Sequence, residues 1–478
     1  MAAASPNLRY DGVGDHTWVA MALAMLGLAL GCGYTLAMGE MAGLYVALSL
    51  ICAVAVLFDF RSGALLLLFM LPASASALFP HNLLGIKGLD PLNLVVLATL
   101  ASYVIHAQLR AAAPLVPGPL AWLYIAPIVA AGLIGMGHVD EIPSFFYELG
   151  IVTFDTPTLY LLINVVRPLV MVGVALLVGA AAAQSRRPER FIIPIALSVW
   201  FICLIQIGFV IVEGPSLATL ASAGERAFYE PLGMHNNDLG RLHLFAFALL
   251  LFIWAEVRRP GLRLFLLLTL GVLGIALLLT FSRASIAGAA VVGALFLVWK
   301  FNAKTLAFSI VAVTLAVLFT ADVLYSRLTL GFTEGADAVS AGRIEGIWLP
   351  LLPEVAKSPL WGEGLRSILW SFPMVNEAMT RAGHAHNAYL EAVLDMGIIG
   401  LALLMAYYLH VWRGLRTLGR NAALSGELRG LFQGATAALV AFFATCLVGS
   451  SLRPEAEASY LWVAIGLMYG LRGWKPSR

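Results

Sequence analysis

Charge is what this sequence has least of. Only 12% of its 478 residues are Asp, Glu, Lys or Arg, and 61% are hydrophobic; soluble domains carry roughly a quarter charged residues. A thick globular core does not explain a deficit of that size. The net charge of +2 comes from basic residues scattered over short loops, which excludes the clustered basic face that nucleic acid requires. Cysteine is scarce too. Cys32, Cys52, Cys203 and Cys446 all fall inside apolar runs and form no C-x-x-C pair, which argues against a zinc or redox site and for small buried hydrophobes. The first residues, MAAASPNLRYDGVGDHTW, lack the basic start, short apolar core and cleavage site of a signal peptide, and read as a cytoplasmic tail. No Walker or Gly-rich nucleotide loop occurs, and no internal repeat of the kind that builds inverted-repeat transporters.

What the chain does have is apolar runs long enough to cross a hydrocarbon layer about 30 Å thick. The expected fold is all-α: a polytopic transmembrane bundle of about twelve to fourteen spans. Spans are expected near 18–38, 42–58, 63–79, 91–107, 120–136, 158–183, 191–212, 239–256, 263–281, 285–301, 304–320, 388–412, 430–450 and 457–472. Every second connection is basic: Arg186, Arg187 and Arg190; Arg258, Arg259 and Arg263; Lys300 and Lys304; Arg413, Arg416, Arg420 and Arg429; Arg472, Lys475 and Arg478. The positive-inside rule assigns these connections, and both termini, to the cytoplasm. The intervening loops are acidic or mixed. One of them, 321–387, is long, polar and aromatic-bearing (Trp348, Trp361, Trp370, Phe372), and contains a helix-like stretch at 341–357. Loops of that length are usually functional or disordered, and this one looks foldable.

The sharpest local signal is GHAHNAYLEAVLDMGIIGLALLMAYYLHVW, residues 383–412. Asn387 is placed as the N-cap of a membrane helix, which sets His386 at the positive end of that helix, beside unpaired backbone N–H groups. Such a place attracts phosphate and favours a neutral imidazole able to act as a base. Gly397 and Gly400, further down, permit close helix packing. Arg167, in LLINVVRPLVMV (161–172), lies well inside a span, where a lone guanidinium is expected to face a cavity or an anion. Arg283 in FSRAS (281–285), Arg241 in HNNDLGRLH (235–243) and Arg343 in SAGRIEG (340–346) share the outer side with His386. Guanidinium groups gathered at one membrane face suit a pyrophosphate. The outer carboxylates form no D-x-D pair, and His384 with His386 is too short a set for zinc, so neither metal nor cofactor is expected. An outward-facing site meets no ATP, and its energy must arrive in the substrate.

The run His386-Asn387 to Gly397-x-x-Gly400, with FSRAS, SAGRIEGIW and WGEGL (361–365), resembles the bacterial O-antigen ligase/polymerase family over residues 235–412. The resemblance implies a metal-independent, GT-C-like, inverting glycosyltransferase of the bacterial inner membrane. Its donor would be an undecaprenyl-pyrophosphate-linked glycan, and its acceptor lipid A–core or a growing polysaccharide. By that carry-over His386 is the catalytic residue, with His384 two positions before it as the other candidate imidazole. Arg283 and Arg343 would hold the pyrophosphate, with Arg167, Arg241 and Asn387 as further substrate-binding positions. The implied organisation is N-terminal membrane helices over 1–234, a ligase-like core over 235–412 containing the outer loop 321–387, and C-terminal membrane helices over 413–478. The competing class is a transporter or flippase of lipid-linked saccharides.

Overall fold

In the computed structural model the described residues are 42–73, 82–83, 86–87, 90–107, 115–222, 227–303, scattered positions from 305 to 323, 325–449 and 451–472. The expected span at 18–38, and most of that at 304–320, lie outside them. The regular secondary structure of the described residues is helical apart from a two-residue antiparallel pairing of Asn82–Leu83 with Ile86–Lys87. The long helices are α1 (Ala42–Phe58), α2 (Phe60–Ala73), α3 (Pro91–Ala107), α4 (Gly118–Glu141), α5 (Pro157–Ala183), α6 (Pro188–Glu213), α7 (Asn236–Glu256), α8 (Pro260–Leu279), α9 (Arg283–Trp299), α10 (Ala388–Gly419), α11 (Gly426–Cys446) and α12 (Ser459–Leu471). Seven of these, α4 to α8 with α10 and α11, are long and apolar enough to cross a membrane. The chain is a polytopic helical membrane protein.

Helix starts follow local chemistry. Thr156, Ser216, Asn387 and Ser425 each accept a backbone N–H of the first turn, and Pro stands in the first turn of α4, α5, α6 and α8. Small residues hold the bundle together. A Cβ on Gly466 of α12 would fall 1.8 Å from the Ala175 carbonyl oxygen of α5, and one on Gly470 2.0 Å from that of Gly179. On α11, Gly430 and Gly434 meet the α7 backbone at Phe252 and Ala248 in the same way. Both are small-xxx-small pairs, which let helices approach closely where lipid supplies no hydrophobic drive for association. α7 is consequently buried almost all round.

Charges at one end of the bundle join successive connections: Glu256 at the foot of α7 pairs with Lys300 after α9 and with Arg429 in α11. At the opposite end residues 325–387 fold over the helices. The stretch read as helix-like at 341–357 is helical over Ile344–Trp348 and Leu349–Val355.

The Gly397-x-x-Gly400 motif plays a different part from the one expected. It does not bring two helices together; it breaks α10. Gly397 has φ +64°, ψ −174°, and a Cβ there would fall 2.2 Å from the carbonyl of Leu360. The WGEGL stretch is threaded into the gap. Ile398 and Ile399 donate their N–H groups to the carbonyls of Pro359 and Leu360, while Glu363 and Gly364 donate to those of Leu394 and Asp395. Leu365 then donates to Ala131 of α4, and its own carbonyl accepts from Tyr160 Oη of α5 at 2.6 Å. The break lies about 14 Å along α10 from its start, at ~1.5 Å per residue. Non-helical backbone at that depth is tolerated only when protein satisfies its polar groups, and here it does.

Candidate functional site

The inserted segment delivers a sharp turn, at whose end Arg366 adopts φ +67°. Ser367 follows and anchors the turn, donating both its N–H (3.1 Å) and its hydroxyl (3.0 Å) to the buried carboxylate of Asp395 on α10. From the other direction the chain descends through His384 and His386 to the start of α10. There Asn387 Oδ1 accepts from the N–H groups of Tyr389 and Leu390, both at 3.1 Å. This is the cap read from the sequence. It also revises the expectation for the helix end: two of the N–H groups thought free for an anion are occupied by the cap itself.

These segments, with 341–347 and 380–383, enclose a cleft of about 470 Å³ whose polar lining is Arg343, Arg366, Arg381, Thr380, His384 and His386. Among the described residues five non-glycine residues hold positive φ, and three of them, Ala341, Arg366 and His386, line this cleft. Strained backbone of this kind persists where the surrounding structure over-determines it, characteristically at functional sites.

The two imidazoles meet edge to face, with centroids 3.9 Å apart. His384 is held neutral: burial and then the neighbouring guanidinium groups of Arg366, Arg241, Arg343 and Arg453 push it down to about 3. Among the described residues neither its buried Nδ1 nor the buried Nε of Arg366 has a hydrogen-bond partner. Burial, and then the charge of Arg453, lower Arg366, with the carboxylates of Glu391, Glu455 and Asp395 opposing. Behind the cleft lies an alternating charge network. Arg453 pairs with Glu391 at 3.4 Å, and Arg241 pairs with Asp238 at 2.6 Å and Glu457 at 3.0 Å. Glu455 is pushed up to about 7 by burial and by Glu457.

The residues singled out from sequence are distributed unevenly about this cleft. His386 and Arg343 line it, and Arg343 also donates to the Val448 carbonyl. Arg241 is buried in the network behind, at 7% exposure. Arg283 stands outside the lining. Its guanidinium donates to the carbonyls of Leu330 (3.0 Å) and Val339 (3.2 Å), and so ties the FSRAS turn to the long segment 325–387. Arg167 is exposed on α5, makes no ion pair among the described residues, and does not line the cleft. The helix turns Asn164 and Val165 inward there, which leaves Arg167 on the outer face in place of the expected cavity. Sequence reasoning missed Arg366, Arg381 and Arg453. For Arg366 a signal was present: it directly follows WGEGL, a glycine-rich stretch of the kind that places backbone in tight quarters. Among the described residues no three His, Cys, Asp or Glu side chains could share a metal ion.

The fold and the cleft define a class: a multi-pass membrane protein with a cleft at one end of its helices lined by arginines and two imidazoles. Residues 268–405 match the family model described as O-antigen ligase, which supports the resemblance to the O-antigen ligase/polymerase family. That range runs from α8 through the outer segment to the middle of α10, and contains Arg283, Arg343, Arg366, His384, His386 and the helix break. No curated protein matches the chain.

Proposed function

We propose that the protein transfers a glycan from undecaprenyl pyrophosphate to an acceptor hydroxyl, in the bacterial inner membrane, with the cleft on the periplasmic side and both termini cytoplasmic. The observation that carries this reading is the convergence of three guanidinium groups and two imidazoles in one cleft, within the segment that matches the ligase family. Arg343 and Arg366 hold the pyrophosphate, whose oxygens supply the partner that the buried Nε of Arg366 lacks. Arg381 stands at the exposed rim. Arg241 and Arg453, each paired with carboxylates, brace the cleft from behind, and Arg283 acts at one remove by fixing the outer segment.

His386 polarises the acceptor hydroxyl. The oxygen attacks the anomeric carbon, the bond to the pyrophosphate breaks on the opposite face, and the leaving group departs with the electron pair onto the arginines. The hydroxyl proton passes to the imidazole and from there to solvent. Attack from the opposite face inverts the anomeric centre. His384, kept neutral, packs against His386 without adding a charge.

Purified protein with a lipid-linked glycan donor and a lipid A–core or polysaccharide acceptor tests the assignment. His386→Ala should lower transfer by about 10²–10⁴-fold, the usual worth of a positioned acid–base group, with the protein still folded. His384→Ala should retain measurable transfer. Full activity in His386→Ala, or loss confined to His384→Ala, overturns the role given to His386.

A further inference from the structure

A second cleft, of about 580 Å³, lies away from the first, where the foot of α2 meets the connection between α5 and α6. Arg61, Gln184, Ser185, Arg186, Arg187 and Arg190 line it. Arg61 is neutralised by Asp59 at 2.8 Å. Arg186, Arg187 and Arg190 are exposed, and none makes an ion pair among the described residues. Elsewhere the pattern differs: Arg429 and Lys300 share Glu256, while Arg263 and Arg416 lie over Trp254 and Trp412. Three guanidinium groups without a carboxylate thus line one concavity.

What lies along the helices from these arginines identifies the ligand. Leu65, one turn beyond Arg61 on α2, is 38% exposed. Ile193 and Leu197, three and seven residues beyond Arg190 on α6, are 45% and 47% exposed. On an α-helix these spacings share a face with the arginine. α6 therefore presents an apolar stripe running from the basic cleft toward the middle of the bundle, and α2 presents Leu65 one turn from Arg61. Free phosphate has no use for such a stripe, whereas the acyl chains below a phosphate headgroup do. Basic pockets between membrane helices recognise anionic lipid headgroups in this way.

We propose that this cleft is a binding site for the phosphodiester headgroup of an anionic membrane phospholipid, gripped by Arg186, Arg187 and Arg190, with its chains along Leu65, Ile193 and Leu197. The proposal does not depend on the transfer reaction.

Native mass spectrometry of the full-length protein in detergent, titrated with phosphatidylglycerol, phosphatidylcholine or inorganic phosphate, tests it. Retention of phosphatidylglycerol in preference to phosphatidylcholine is expected. The variant Arg186→Ala/Arg187→Ala/Arg190→Ala should lose about 150-fold in affinity, about fivefold for each arginine. Should that variant fail to fold, Arg190→Gln alone should lose about fivefold. Equal retention of phosphatidylcholine, unchanged affinity in these variants, or inorganic phosphate binding as tightly as the lipid would each overturn the proposal.

Discussion

Replacing Gly397 by alanine is the most direct test of how the outer segment is joined to the membrane helices. The residue sits at φ +64°, ψ −174°, a region open essentially to glycine alone, so any side chain there costs about 1–3 kcal/mol in backbone strain. The new Cβ would also lie 2.2 Å from both the carbonyl carbon and the oxygen of Leu360 and 2.4 Å from the Trp361 nitrogen, all rigid backbone. The inserted segment must therefore withdraw, breaking the bonds from Ile398 to Pro359 (2.9 Å) and from Ile399 to Leu360 (3.3 Å), at about 1 kcal/mol each. The expected destabilisation is about 3–5 kcal/mol. Because Arg366 is carried on the same segment, a displacement of about 1 Å should also lower transfer by about 100-fold. Gly293→Ala on α9 is the control. Its Cβ meets nothing within 4 Å, and the gain in helix propensity makes it neutral or up to about 1 kcal/mol stabilising. Equilibrium unfolding in mixed micelles measures both variants. If Gly397→Ala unfolds with the wild-type protein and retains full transfer, the account of the break is wrong.

Other consequences can be checked alongside. Arg366→Lys replaces a fork by a point charge, and should raise the KM for the lipid-linked donor by about tenfold with a smaller change in kcat; an unchanged KM would remove Arg366 from the donor site. Arg241→Met strands Asp238 and the largely buried Glu457, and should cost about 3–5 kcal/mol in an unfolding titration; a loss below about 1 kcal/mol would show the network to be well solvated. His384 binds its proton near 3 when folded and near 6.5 when unfolded, so its contribution to stability is complete above pH 6.5 and falls away as the pH drops toward 3. His384→Gln should accordingly flatten the acid limb of the stability curve, and parallel limbs would contradict the burial of that ring. Glu455 has the opposite sign: with its carboxyl pushed up to about 7, the unfolded chain loses a proton earlier, and stability falls as pH rises from about 4.5 to 7. Glu455→Gln should therefore gain stability over the wild type at pH 8 relative to pH 5, and no difference between the two pH values would refute it.

Much of the bundle was legible because hydropathy is a local property. The spans expected at 91–107, 158–183 and 191–212 correspond to α3, α5 and α6, and the cap at Asn387 needed only a side chain three residues from its target. Of the third expected span, 63–79, residues 63–73 lie in α2 and 74–79 lie outside the described residues, while α10 runs on to Gly419 beyond the expected 412. The break at Gly397 was not legible, because its cause lies in residues 359–364, brought there by tertiary structure. The same holds for the site. His386 and Arg343 stood out by motif, while Arg453 joins through an ion pair to Glu391 across a sequence separation of 62 residues. Arg167 was drawn in by its depth along a span, but which way a helical residue faces depends on neighbours that spacing does not reveal.

The seam between residues 359–365 and α10 bears on how such proteins can be recombined. A graft that exchanged the outer segment alone would leave peptide groups at Leu394, Asp395, Ile398 and Ile399 without partners inside the bilayer, and a hole against Ala131 and Tyr160. Hybrids should therefore move the segment together with α10 and the facing turns of α4 and α5, as one inherited block.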